Sequence, residues 1–171
     1  MRGDPLRNPE PPIRRVYAYT AYRLGDGPEA EDATSDTFER ALRYRSSYDP
    51  RKGPPVAWLL GIARRCVDDV VAARIPTEGE PEERPAGGDL EGEAATRLDV
   101  TAAVAELDER DRELIALRYG ADLKASQIAE LLGLKTNAVE VAIHRALKRL
   151  RERLESREPE DPSQKPVADA V

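Results

Sequence analysis

The stretch SQIAELLGLKTNAVEVAIHRALKRL, residues 126–150, constrains this chain more than any other segment. Ile128, Leu131 and Leu132 recur at helical spacing, and Gly133 follows where a chain leaving a helix needs a positive φ. Leu134 and Lys135 complete a turn. Thr136 is placed to cap a second helix, its hydroxyl accepting a backbone N–H of the first turn. Beyond it Val139, Ile143, Ala146, Leu147, Leu150 and Leu154 fall on one stripe, the expected buried face. A helix, a glycine turn and a second helix with a polar outer face make the helix-turn-helix unit, which lays its second helix in the DNA major groove. An ordinary helical hairpin in a bundle shares the apolar spacing. Turn, cap and basic outer face together favour DNA binding.

A net charge of −6 argues against a nucleic-acid partner only if it is spread evenly. Residues 13–75 hold 11 Lys+Arg against 9 Asp+Glu, and residues 98–157 hold 11 against 11. The excess acid sits in residues 76–97, with 2 against 7, and in residues 158–171, with 1 against 4. Residues 137–154 carry five basic and two acidic side chains, so a local positive face survives on the second helix. Aromatic residues make up only 5% of the chain and charged ones 35%, which suits small helical domains better than one large core. No apolar run approaches the roughly 20 residues of a membrane span, and the N-terminus lacks a signal-peptide core, so a cytoplasmic protein is expected. The single cysteine, Cys66, has no disulfide or zinc partner and lies in an apolar pattern, which reads as a small buried hydrophobe. One histidine and no clustered ligands leave no metal, cofactor or catalytic site.

The organisation that follows is all-α: two small helical domains joined by a flexible acidic linker, the second domain containing the helix-turn-helix. Residues 1–12, with four prolines, read as a disordered or extended arm. Residues 13–75 hold three helical patterns, the second starting at Pro28 and the third carrying Leu59, Leu60, Ala63, Val67 and Val70 in register. Residues 76–97, rich in Pro, Gly and Glu, read as the linker. Residues 98–157 hold one helix to about Leu107, another capped by Asp108, and the helix-turn-helix. Residues 158–171 read as a disordered tail.

Both domains, in this order, resemble the extracytoplasmic-function (ECF) sigma factors of bacterial RNA polymerase. AEDATSDTFERAL (residues 30–42) is similar to that family's polymerase-binding helix. YDPRKGPPVAWLLGIARR (residues 48–65) is similar to its promoter-melting loop and helix, and residues 107–154 resemble its domain for the −35 element. The resemblance implies a chain that binds core RNA polymerase, at the β′ clamp and the β flap, and promoter DNA. It also implies that an anti-sigma factor is a possible partner, with no membrane insertion and no cofactor. Asp32, Asp36, Thr37 and Arg40 match the polymerase-contact helix, on its outer face, with Phe38 in the core. Tyr48, Arg51, Lys52, Trp58, Arg64 and Arg65 would meet the melted −10 element, aromatic surface holding bases and cations holding the backbone. For Trp58, core packing is the favoured alternative. Thr136, Asn137, Glu140, Val141, His144, Arg145 and Lys148 would face the −35 element.

The chain departs from the family pattern in places. Arg65 stands where asparagine is common, VVAA at residues 70–73 replaces basic residues, and Glu140, Val141 and Ala142 stand where Lys, Ser and Arg are frequent. A glutamate facing a base edge can accept from cytosine N4, and a valine methyl can pack on a thymine methyl. The same departures motivate a second reading, a sigma-like interaction protein that binds polymerase or a regulator without reading DNA sequence.

Overall fold

The computed structural model describes residues 4–74 and 93–157, with side chains from residue 99 onward in the second stretch. The expected linker at residues 75–92, the tail from residue 158 and residues 1–3 lie outside the described residues. Helices α1 (Glu10–Leu24), α2 (Pro28–Arg43) and α3 (Pro55–Ala73) form the first unit. Two 3-10 turns, Arg45–Ser47 and Pro50–Lys52, lead from α2 into α3. Helices α4 (Glu93–Ala105), α5 (Glu109–Ile115), α6 (Ala125–Leu132) and α7 (Thr136–Glu155) form the second, and α5 runs into one π turn at Ala116–Gly120. No strand occurs among the described residues.

Prolines begin each helix of the first unit, in the first turn where a missing N–H breaks no intrahelical bond. This corrects the expectation of a disordered arm through residue 12. Glu10, Pro11 and Pro12 are already α1, and ahead of them Asp4 Oδ1 accepts from the Leu6 N–H at 3.0 Å. Pro5 is buried and Leu6 packs on the core, so apolar anchoring orders a segment whose proline content alone suggested extension. The acidic linker also ends earlier than expected, since residues 93–97 are helical.

The second unit closes on the apolar stripes read from sequence. Asp108 Oδ1 caps α5 by accepting from the Asp111 N–H at 2.8 Å. Gly133 ends α6 at φ 67°, and Val139, Ile143, Ala146 and Leu150 are buried on α7. Thr136 does not cap: it is the first residue of α7, and Lys135 holds the cap position without a side-chain hydrogen bond. The turn after Gly133 is therefore one residue shorter than the placement of Thr136 as a cap requires.

Beyond the two-unit division, the units pack directly on each other. One core runs from Val16, Tyr19, Leu59, Leu60 and Val67 of the first unit into Leu114, Leu117, Leu123, Ile128 and Ile143 of the second. A smaller cluster, Ala103, Val104, Leu107, Ile115, Ala146 and Leu150, belongs to the second unit alone. The units approach closely at Gly120, where an added Cβ would lie 3.0 Å from the Ala18 carbonyl oxygen and 3.1 Å from Tyr22. Backbone meets backbone there, and only glycine leaves room.

Candidate nucleic-acid and polymerase interface

Three surfaces carry the expected contacts. On α2, Asp32 and Asp36 are exposed along the helix, while Glu29 and Glu31 in its first turn complement the dipole. Arg40 is half-buried, with Nη2 donating to Asp69 Oδ2 of α3 at 2.8 Å. Thr37 is not on the outer face. It is fully buried, and its hydroxyl donates to the Ala33 carbonyl at 2.6 Å, a back-bond that lets a polar side chain sit inside the bundle. Beside it, burial pushes the Cys66 thiol up, in keeping with its reading as a small core side chain. Phe38 packs against the core, as its spacing predicts.

The loop before α3 is ordered from within. Asp49 caps the Pro50–Lys52 turn, accepting from the Arg51 backbone N–H at 3.1 Å and from its guanidinium at 2.9 and 3.0 Å. Arg51, Lys52 and Arg65 stand in solvent. Tyr48 does not: its ring is buried 5.6 Å from Trp58, and its hydroxyl donates to the Gly53 carbonyl at 3.1 Å. The tyrosine thus braces the loop and holds the tryptophan instead of offering a free stacking face. Trp58 is half-buried against the core, the alternative that sequence favoured, and one edge lines a cleft of about 260 Å³. Across that cleft lie Gln127, Glu130 and Leu131 of α6.

Arg64 belongs to a different constellation. Its Nε donates to Glu113 Oε1 of α5 at 2.7 Å, joining the two units. The same carboxylate, only 13% exposed, accepts from the Tyr19 hydroxyl at 3.0 Å and lies 2.8 Å from Arg23 Nε, off the line of that N–H. Arg23 is 96% buried, since 4% of it remains exposed, and its guanidinium also donates to Glu109. Burial alone would weaken that cation, but the Glu109 hydrogen bond and the Glu113 charge outweigh it and raise the Arg23 pKa. Burial, then the charge of Glu113, pushes the Tyr19 phenol well above its ordinary range. Sequence reasoning passed over Tyr19, Arg23, Glu109 and Glu113. A signal was present: Arg23 shares the core-facing stripe of Val16 and Tyr19, and an arginine on an apolar stripe requires a partner.

On α7 the outward row is complete. Thr136, Asn137, Glu140, Val141, His144, Arg145 and Lys148 are all exposed, opposite the buried stripe. The next cation, Arg149, is occupied: its guanidinium grips buried Asp111 of α5, and that hydrogen bond raises its pKa. The described residues contain no group of His, Cys, Asp and Glu arranged to hold a metal, and no helix long and apolar enough to cross a membrane.

Comparison with known proteins gives this geometry a family. The family model for Sigma-70 region 2 matches residues 13–74, and that for Sigma-70, region 4 matches residues 97–150. The ECF RNA polymerase sigma factor SigD of Mycobacterium tuberculosis is 30% identical over 153 residues, covering 81% of this chain and 71% of that protein. SigK of Mycobacterium ulcerans is 29% identical over 151 residues, 83% of this chain and 81% of SigK. BldN of Streptomyces coelicolor is 32% identical over 146 residues, and the match spans 54% of BldN, about half its length. Two solved structures share the fold. The sigma factor RpoE in complex with the anti-sigma factor NepR, from Bartonella quintana, has a TM-score of 0.66 at 21% identity, covering 84% of this chain and 92% of that one. CnrH in complex with the cytosolic domain of CnrY has a TM-score of 0.60 at 24% identity, covering 88% and 84%. With both sigma regions matched in order, and relatives aligned along most of their length, the chain belongs to the ECF RNA polymerase sigma factors.

Proposed function

We propose that this chain, working in the cytoplasm, directs promoter-dependent initiation through three surfaces. The outer face of α2, with Asp32, Asp36 and Arg40, binds the β′ clamp of core polymerase, while the second unit meets the β flap. Arg51, Lys52 and Arg65 hold the backbone of the melted −10 strand, with Trp58 beside them and Arg64 joining once its carboxylate partner withdraws. Asn137, Glu140, Val141, His144, Arg145 and Lys148 read the −35 element in the major groove. Capture of unpaired bases drives opening, so the role involves no bond chemistry.

The observation that carries this reading is the row on α7, seven exposed side chains, all polar but Val141, on the face opposite a buried apolar stripe. The test is transcription in vitro with purified core polymerase and a library of upstream sequences. Promoter-dependent initiation, with a preferred −35 sequence, is expected. Glu140 in that row favours the second reading, an interaction protein that binds polymerase without base preference. Core binding with no initiation from any promoter would establish that reading instead.

A further inference from the structure

We propose that Arg149 is a further −35 contact, a phosphate clamp whose guanidinium is held in place by Asp111, its positioning residue. This rests on the promoter-reading role above and adds a cation that the outward row leaves out.

The acid is the unusual member of the pair. Asp111 lies in the first turn of α5 with its side chain only 5% exposed, and its backbone N–H is tied to the Asp108 cap at 2.8 Å. A carboxylate withdrawn from water requires a cation, and a fixed carboxylate fixes where that cation sits. Arg149 supplies it, Nε donating to Oδ2 at 2.5 Å and Nη2 to Oδ1 at 3.1 Å. Joining α5 to α7 does not need this pair. Leu114 of α5 shares a core with Ile143 of α7, and Ile115 shares another with Ala146 and Leu150. An ion pair on a buried acid adds little net stability over an apolar contact in the same place. What it adds is direction.

A guanidinium carries five N–H donors in a rigid plane, and this pair leaves the Nη1–Nη2 edge unused. Half of the Arg149 side chain is exposed. Such an edge matches a phosphate with two parallel hydrogen bonds. Arg149 follows Arg145 by one helical turn, about 6 Å along the axis and about 40° around it. It therefore borders the outward row, and with Arg145 and Lys148 it forms one exposed cationic patch. Farther along α7, Arg153 and Arg157 turn instead to Glu106, an acid 40% exposed, as an ordinary surface network does.

The pair is neutral as a unit, so its gain on DNA differs in kind from that of Arg145 and Lys148. Those two displace counterions from phosphates. Arg149 offers hydrogen bonds whose ordering cost is met before DNA arrives, with little counterion release.

Two variants of the full chain test this, with binding of the sigma–polymerase complex to an upstream duplex chosen from the library measured across a salt series. Arg149→Lys keeps the charge, but an ammonium cannot hold carboxylate and phosphate in one planar geometry. Its affinity should fall about tenfold with the salt slope unchanged. Asp111→Asn keeps the shape and leaves the arginine charge unanswered. Its salt slope should steepen by about one unit, with affinity below wild type at high salt, where fixed hydrogen bonds dominate. Circular dichroism should report full helix content for both, and if Asp111→Asn melts below the assay temperature, Arg149→Lys decides alone. Wild-type affinity for Arg149→Lys overturns the clamp. Tighter binding of Asp111→Asn at every salt concentration overturns the positioning role, since the acid would then only screen a cation. Arg145→Ala is the control for the underlying reading. If it alters binding and Arg149→Lys does not, only the clamp falls; if neither does, the −35 role falls with it.

Discussion

Around Glu113 and along the outer face of α7 the chain uses the same residue types to opposite ends. At the junction, Arg23 and Glu113 are withdrawn from water, Arg64 lies half-buried beside them, and each charge is answered by a partner from the other unit. On α7, Glu140, Arg145 and Lys148 stand in solvent, and none of them forms an ion pair among the described residues. Charges that are buried and matched specify how two units meet, because stranding one in low dielectric costs several kcal/mol. Exposed charges contribute little to stability and stay available to a partner. Composition does not separate these cases; burial does.

The strongest way to break the contrast is to strand a charge at the junction. Arg23→Ala leaves Glu109 without its guanidinium and removes one cation from Glu113. Because Glu113 keeps Arg64 and Glu109 is 61% exposed, the cost should fall below the about 3–5 kcal/mol of stranding a fully buried charge. The chain can relieve that cost by separating its units, so calorimetry should show the wild-type transition splitting into two, the earlier at lower temperature. One unshifted transition would mean that the junction charges do no more than surface pairs.

Next in size is the acid on the reading face. If Glu140 accepts from a cytosine edge, Glu140→Ala relaxes preference at one base pair, losing ~1–3 kcal/mol of discrimination there. If it is merely solvated, its removal strengthens binding slightly to every sequence. Binding of the sigma–polymerase complex to a randomised upstream element separates the two, and a uniform gain would shift weight to the interaction-protein reading.

Smaller again are the phosphate contacts. Arg145→Ala and Lys148→Ala should each leave the melt within about 0.5 kcal/mol of wild type, as exposed substitutions do. Each should also lower the salt slope of DNA binding by about one unit. A lowered melting temperature with an unchanged slope would make these cations structural and erase the distinction from Arg23.

Much of this was legible in the sequence. Stripes at 3.6-residue spacing located α3, α6 and α7, Gly133 marked its turn, and Asp108 its cap, because these are local signals. The errors fall where tertiary contact decides. Thr37 and Tyr48 have polar atoms that suggested outward contact, yet each satisfies its hydroxyl on a nearby carbonyl and buries the rest. The proline-bearing start looked extended until Leu6 found the core. The docking of the units left only Arg23 on an apolar stripe and Gly120 after a helical run as traces. Neither names its partner, which lies about a hundred residues away in the case of Gly120 and Ala18.

The smallest expected effect sharpens the contrast on a single helix. Tyr17 and Tyr19 lie two residues apart on α1, facing different sides. Tyr17 donates to Asp26 at the helix end, and that hydrogen bond, with some burial, raises its pKa from 10.0 to about 12. Because the folded pKa exceeds the unfolded one, its contribution to stability is complete below pH 10 and lost as pH rises towards 12. Tyr19, buried and bonded to Glu113, should release its proton only when the junction opens. Phenolate absorbance should therefore show two late components, one reversible near pH 12 and absent in Tyr17→Phe, the other coincident with loss of compactness. Because a side chain at Gly120 meets α1 backbone at the junction, Gly120→Leu should bring the Tyr19 component to lower pH and leave that of Tyr17 in place. If both components move together, the junction does not confer the burial that sets Tyr19 apart, and the division between answered and available charge fails at its most local test.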